Sequence, residues 1–105
     1  TIHPEAASEY AAALEWYAER DYAVALRFEA AIDDAIATIL QWPESGELWE
    51  LILPDTQVRS LRITYESTKF PFRVFYSCQN AAVILIALAH TARTPGYWKE
   101  RLGES

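Results

Sequence analysis

Cysteine is nearly absent. Cys78 stands alone, so no intramolecular disulfide can form, and a zinc–thiolate site would need a partner chain. Three glycines and five prolines in 105 residues exclude a low-complexity linker or a collagen-like chain. Histidine is limited to His3 and His90, far apart in sequence and without metal-ligand spacing. There is no glycine-rich phosphate loop, no H-E-x-x-H pair and no Gly-x-Ser-x-Gly elbow, so neither a metal nor any other cofactor is expected. The longest apolar run, Ala81 to Ala89, falls far short of the roughly 20 residues that span a bilayer. The chain opens Thr-Ile-His-Pro-Glu, not with a basic stretch followed by an apolar leader. A soluble, cytoplasmic protein without membrane contact is the expectation.

What is present fits one small folded domain over residues 1–105. Hydrophobic residues make up 51% and charged residues 23%, a balance that is not disordered. Aromatics reach 13%, a large apolar supply for a core this small, so part of it is free for an interface. The net charge of −6 argues against a free nucleic-acid binder. Its distribution says more. Residues 1–55 carry twelve acids against Arg20 and Arg27, a net of −10, whereas residues 56–105 carry a net of +4. Either the second half uses its positive charge on a partner, or the halves neutralise each other within the fold.

Residues 4–20 read as a helix. Pro4 suits the first helical position, and Ala6, Tyr10, Ala13, Leu14 and Tyr17 recur at helical spacing. Asp21 offers a cap for a second helix from about Tyr22 to Gln41. Its expected buried stripe is Ala25, Phe28, Ile32, Ala35, Ile36, Ile39 and Leu40, and Pro43 ends it near Trp42. After the Pro43–Gly46 turn the period becomes that of strands: Leu48 to Leu53, Gln57 to Tyr65, Phe72 to Cys78, a tight turn at Asn80, and Ala81 to Ala89. The last run is apolar on both faces, so a central, covered strand is expected. Thr94-Pro95-Gly96 breaks the chain before a terminal helical turn over Tyr97 to Leu102. The predicted fold class is α+β: an N-terminal antiparallel helical hairpin packed on one face of a three- to four-stranded antiparallel sheet. The other face, or the groove at its end, is left for a partner.

The residues suited to chemistry gather late. His90, Arg93 and Tyr97 follow the last strand, Arg73 lies on the strand before it, and Arg62 and Lys69 lie upstream. Arginine forks hold phosphate oxygens, and His or Tyr can move a proton, so this set suits a phosphodiester. The alternative is that His90 caps a strand end, Tyr97 and Trp98 seal the core, and the arginines pair with the acidic helices. Glu5/Glu9 and Asp33/Asp34 are carboxylate pairs whose ordinary role is a solvated helix face.

Several segments in order resemble the RelE/ParE superfamily of toxins from bacterial type II toxin–antitoxin (plasmid stabilisation) pairs. They are His3-Pro4-Glu5-Ala6-Ala7, Glu15-Trp16-Tyr17, ILQWPE (Ile39 to Glu44), Val58-Arg59, FPFRVFY (Phe70 to Tyr76) and AHTARTPGYW (Ala89 to Trp98). ELWEL (Glu47 to Leu51) is also similar to HigB-like members. The resemblance implies a hairpin on a curved sheet, often with an extra N-terminal strand, and a cognate antitoxin that neutralises the toxin. It leaves two mechanisms. RelE-like members cut messenger RNA on the ribosome; here Arg73, Arg93, His90 and Tyr97 would be the catalytic set. ParE-like members inhibit DNA gyrase without a bond-breaking step of their own. The lysine positions of the RelE-like basic strand fall on Thr64 and Glu66, and an acid there would repel the scissile phosphate. The ParE-like action therefore leads, with ribosomal cleavage, or a decayed non-toxic antitoxin-binding module, as alternatives. Arg62, Lys69, Arg73 and Arg93 are expected to meet the target or its phosphates. Trp16, Trp49, Phe72, Phe75 and Tyr76 are expected to meet the antitoxin.

Overall fold

The structure, a computed structural model, describes residues 1–49, 56–79 and 81–103. Helix α1 spans Pro4–Arg20 and helix α2 spans Tyr22–Gln41. His3 caps α1, its Nδ1 accepting from the Glu5 N–H at 3.1 Å. Asp21 is the whole connection between the helices. Its N–H donates to the Tyr17 carbonyl at the end of α1, while its Oδ1 accepts from the Ala23 and Val24 N–H groups that open α2. One residue closing both ends forces the chain to reverse, which makes the hairpin.

Four strands follow: β1 Glu47–Leu48, β2 Val58–Tyr65, β3 Thr68–Gln79 and β4 Ala82–His90. They pair antiparallel in the order β1-β2-β3-β4. A short 3₁₀ helix, Lys99–Gly103, closes the described chain. Beyond β1, residues 50–53 of the expected first strand lie outside the described residues, as does Asn80. Ile2 makes one parallel bridge to Leu85, the beginning of an N-terminal strand.

The helices cover one sheet face. Phe28 sits at the centre, its ring 4.9 Å from Tyr17, 5.2 Å from Phe70 and 5.4 Å from Phe72. Ile32, Ile39, Ile63, Val74 and Tyr76 complete this core, and each large apolar side chain buried there contributes roughly 1.5–3 kcal/mol. Leu40, expected in the buried stripe, is exposed instead, and Ala31 takes the inward position. Near the Trp42 cap, the last turn of α2 presents Ile39 to the core and turns its next residue outward.

β4 corrects a second expectation. It is apolar on both faces but lies last in the strand order, not in the centre. Its two faces need two covers, not two hydrogen-bonded neighbours. Leu85 and Leu88 pack under the helices. Ile86, Ala87 and Ala89 join Val58, Phe75 and the buried Trp98 in a second cluster on the opposite face. The strand's outer edge is blunted piecemeal. The Leu85 N–H and C=O pair with Thr1 and His3, and the Leu88 N–H donates to the Glu9 carboxylate. The second sheet face is thus not bare: Trp98 of the C-terminal segment packs on it, and a groove remains beside that cluster.

Candidate functional site

Side chains alternate along β3. Val74 and Tyr76 face the helices, while Phe75 faces the second cluster. Arg73 shares the side of Phe75. Trp98 packs on Phe75, with ring centroids 4.8 Å apart, and Trp49 packs edge-on against Trp98 at 5.0 Å. Beyond this aromatic stack lies an open groove of about 270 Å³. Arg73, His90, Arg93 and Tyr97, the four residues of the expected catalytic set, all line it, together with Glu47 and Trp49.

The local chain explains the convergence. Arg73 pairs with Ala89 across the β3–β4 ladder, next to His90 where β4 ends. The chain then turns tightly. The His90 carbonyl accepts from the Arg93 N–H, and the His90 Nδ1 accepts from the Ala92 N–H at 3.0 Å. That bond leaves the proton of a neutral imidazole on Nε2. Gly96 has φ +81°, a left-handed conformation that favours glycine, and brings Tyr97 and Trp98 back toward the sheet.

Each polar group already has a partner. Arg73 donates from Nε to the Ser60 hydroxyl and from Nη2 to Glu47, both at 3.1 Å. Arg93, with 53% of its side chain exposed, stacks over the Tyr97 ring at 3.7 Å and lies 3.6 Å from Glu9. The Tyr97 hydroxyl donates a short hydrogen bond to Glu9. Burial, and then that bond to Glu9, push the Tyr97 phenol above its ordinary pKa; Arg93 and Arg101 offset this only in part. Tyr97 is therefore a committed donor and a poor base. The groove offers two arginine forks and an aromatic wall, which suits holding an anionic or polar surface better than relaying protons.

The other expected target residues are not brought here. Arg62 donates from Nε to the Phe70 carbonyl at 2.6 Å and lines a separate groove beside Asp34 and Thr38 of α2. Arg62 is the direct cross-strand partner of Arg73, but its guanidinium turns away to the Phe70 carbonyl; the ladder shifts register only after it, between Arg62 and Thr64. Lys69 is exposed near the β2–β3 turn. Glu66, unlike Arg62 and Lys69, is not on a strand. It occupies the turn at φ 54°, outside the groove, so its charge does not face Arg73.

The expected antitoxin residues separate three ways. Trp16, 53% exposed, and Phe72 share a second groove of about 440 Å³ between α1 and the end of β3, with Ala12, Ala13, Tyr17 and Pro71. Trp49 and Phe75 belong to the sheet-face stack, Phe75 buried. Tyr76 is 0% exposed, and its hydroxyl bridges the Pro43 carbonyl and the Gly46 N–H. Tyr76 is a core residue, while Phe75, largely buried, still lines the sheet-face groove.

Two residues escaped the reading of the sequence. Glu9 and Arg101 form an ion pair at 2.8 Å beneath Tyr97 and Arg93, with only 15% and 10% of their side chains exposed. A faint signal existed: Glu5 and Glu9, four apart, share one helix face and repel unless a cation sits between them.

The family model described as the ParE toxin of the type II toxin–antitoxin system, parDE, matches residues 1–95. No curated protein and no solved structure matches the chain.

Proposed function

The chain belongs to the ParE toxins of type II toxin–antitoxin systems, and from that premise we propose that it inhibits DNA gyrase by binding, under the control of a cognate antitoxin. In this reading it is a cytoplasmic growth inhibitor of the plasmid-stabilisation type. Among the described residues no helix is long and apolar enough to cross a membrane.

The observation that carries the binding reading is the state of Tyr97. Its hydroxyl is spent on Glu9 and its pKa is raised, so Tyr97 is no ready base, while Arg73 and Arg93 stay on the groove walls beside His90, whose Nδ1 accepts from the Ala92 N–H. Arginine forks beside an aromatic stack are the chemistry of a protein–protein hot spot. The antitoxin is assigned to the groove between α1 and β3. That groove is mostly apolar, with Glu9, His90 and Arg93 also on its walls, and carries exposed Trp16, with Arg20 stacked on its ring at 3.8 Å. The test is supercoiling of relaxed plasmid by purified gyrase. Inhibition at micromolar protein supports the proposal, and undiminished supercoiling removes gyrase as the target.

One observation favours a second reading, cleavage of messenger RNA on the ribosome: Arg73, His90, Arg93 and Tyr97 do line one groove. Induction followed by primer extension on translated message would then reveal cuts in the decoding site.

A further inference from the structure

Glu9 enters the proposal above only as the acceptor of the Tyr97 hydroxyl, yet it is the most heavily bonded carboxylate among the described residues. Its Oε1 accepts from the Leu88 N–H of β4 at 3.1 Å and from Arg101 at 2.8 Å. Its Oε2 accepts from the Tyr97 hydroxyl and from Arg101 at 3.2 Å, with Arg93 3.6 Å away. Arg101 in turn donates to the Ile86 carbonyl at 3.0 Å and pairs with Glu5 at 2.9 Å. Thus one carboxylate on α1 ties together the edge of β4, the chain after Gly96 and the 3₁₀ helix. Tyr97 and Arg101 lie beyond the family match at residues 1–95, so the likeness makes no statement about them.

We propose that Glu9 is a positioning residue for the sheet-face groove: by clasping Tyr97 and Arg101 to α1 it holds Arg93 on the wall facing Arg73. The geometry supports this on two counts. Arg93 is exposed and has no other anionic partner among the described residues, so Glu9 and the Tyr97 ring are what fix its guanidinium. Tyr97 in turn is fixed by Glu9 through its hydroxyl. Remove the carboxylate, and Arg93 and Tyr97 lose their common anchor, while Arg101 keeps the Ile86 carbonyl and the exposed Glu5. The inference rests on the binding reading only where inhibition is measured; the positioning itself has a separate readout.

The experiment compares Glu9→Gln with Glu5→Gln. The amide of Glu9→Gln preserves size but removes the charge and turns an N–H₂ donor toward groups of which only the Tyr97 hydroxyl can accept. Hydrogen exchange read by mass spectrometry should speed up at least about tenfold in residues 91–103 of Glu9→Gln, the loss expected for a charge-assisted bond. Exchange in β2 and β3 should stay unchanged. Gyrase inhibition should weaken by about tenfold or more in the same variant. Glu5→Gln should change both readouts by less than about twofold, as befits an exposed pair. Unchanged exchange in residues 91–103 overturns the proposal, and so does equal loss in both variants. Faster exchange with undiminished inhibition also overturns it, reducing Glu9 to a structural tie. If Glu9→Gln does not fold, Arg101→Lys, which keeps the charge but loses the fork, replaces it under the same criteria. If the wild-type protein leaves gyrase untouched, the gyrase reading alone falls, and the exchange comparison still decides whether Glu9 positions the segment carrying Arg93.

Discussion

Replacing Tyr76 by Phe removes one oxygen from the centre of the molecule and leaves its shape intact. That oxygen donates to the Pro43 carbonyl at 2.7 Å and accepts from the Gly46 N–H at 3.0 Å. The turn between them has no slack. A Cβ added at Gly46 would lie 2.6 Å from the Tyr76 hydroxyl and 2.8 Å from the Ser60 carbonyl, so the chain already packs closely there. Because Tyr76 is fully buried, losing its hydroxyl leaves the buried Gly46 N–H and the part-buried Pro43 carbonyl short of a partner. Each such group costs about 1–3 kcal/mol, against a net worth of about 1 kcal/mol for an ordinary bond. Allowing the turn to relax toward solvent, we expect a total of about 2–3 kcal/mol, a fall in Tm on the order of 10 °C for a domain of this size. Urea unfolding followed by circular dichroism measures it, and an unchanged slope would confirm that only the native state was affected. Glu47 follows the same turn and pairs with Arg73, so exchange in residues 43–49 should rise as well. A loss below about 0.5 kcal/mol, the range of ordinary surface substitutions, would refute the bridging role of Tyr76.

Trp16→Ala should leave stability within about 0.5 kcal/mol, because the ring is half exposed, yet weaken binding of the cognate antitoxin by tenfold or more, as expected of an aromatic hot spot. Titration calorimetry reads the affinity; equal affinity would move the antitoxin off the α1 groove. The raised pKa of Tyr97 has a definite sign. The folded protein holds this proton more tightly than the unfolded chain, so the associated stability is complete below about pH 10 and is withdrawn as pH rises above it. Melting temperature should therefore fall more steeply between pH 9.5 and 11 in the wild type than in Tyr97→Phe, and parallel profiles would contradict the buried bond to Glu9.

Where local chemistry decides, the sequence was legible. Pro4, Asp21 and Pro43 mark the helix limits because each acts through its own backbone or cap. The three long strands follow from their side-chain alternation and turn residues. What escaped depends on distant partners. The doubly apolar run 82–90 shows that two covers exist but not whether strands or a C-terminal segment supply one of them. Tyr76 and Phe75 look like any aromatic pair, and only the distant turn at Pro43–Gly46 and the ring of Trp98 make them core. At the site, Arg73, His90, Arg93 and Tyr97 could be grouped from strand pairing alone. Arg62 could not be separated from them, since it pairs directly with Arg73 across the ladder and only its bond to the Phe70 carbonyl turns it away. The union of Glu9 with Arg101 spans 92 positions, and the Glu5/Glu9 spacing on one helix face is its faint local trace.

Arg73 and Arg93 together form the surface proposed to meet the target. The direct measurement is gyrase supercoiling in the presence of the wild type and of the Arg73→Ala/Arg93→Ala double variant, with folding of both checked by circular dichroism. Loss of inhibition in a folded double variant, from a wild type that inhibits, is the predicted result. Equal inhibition by both proteins would place the working surface elsewhere on the molecule.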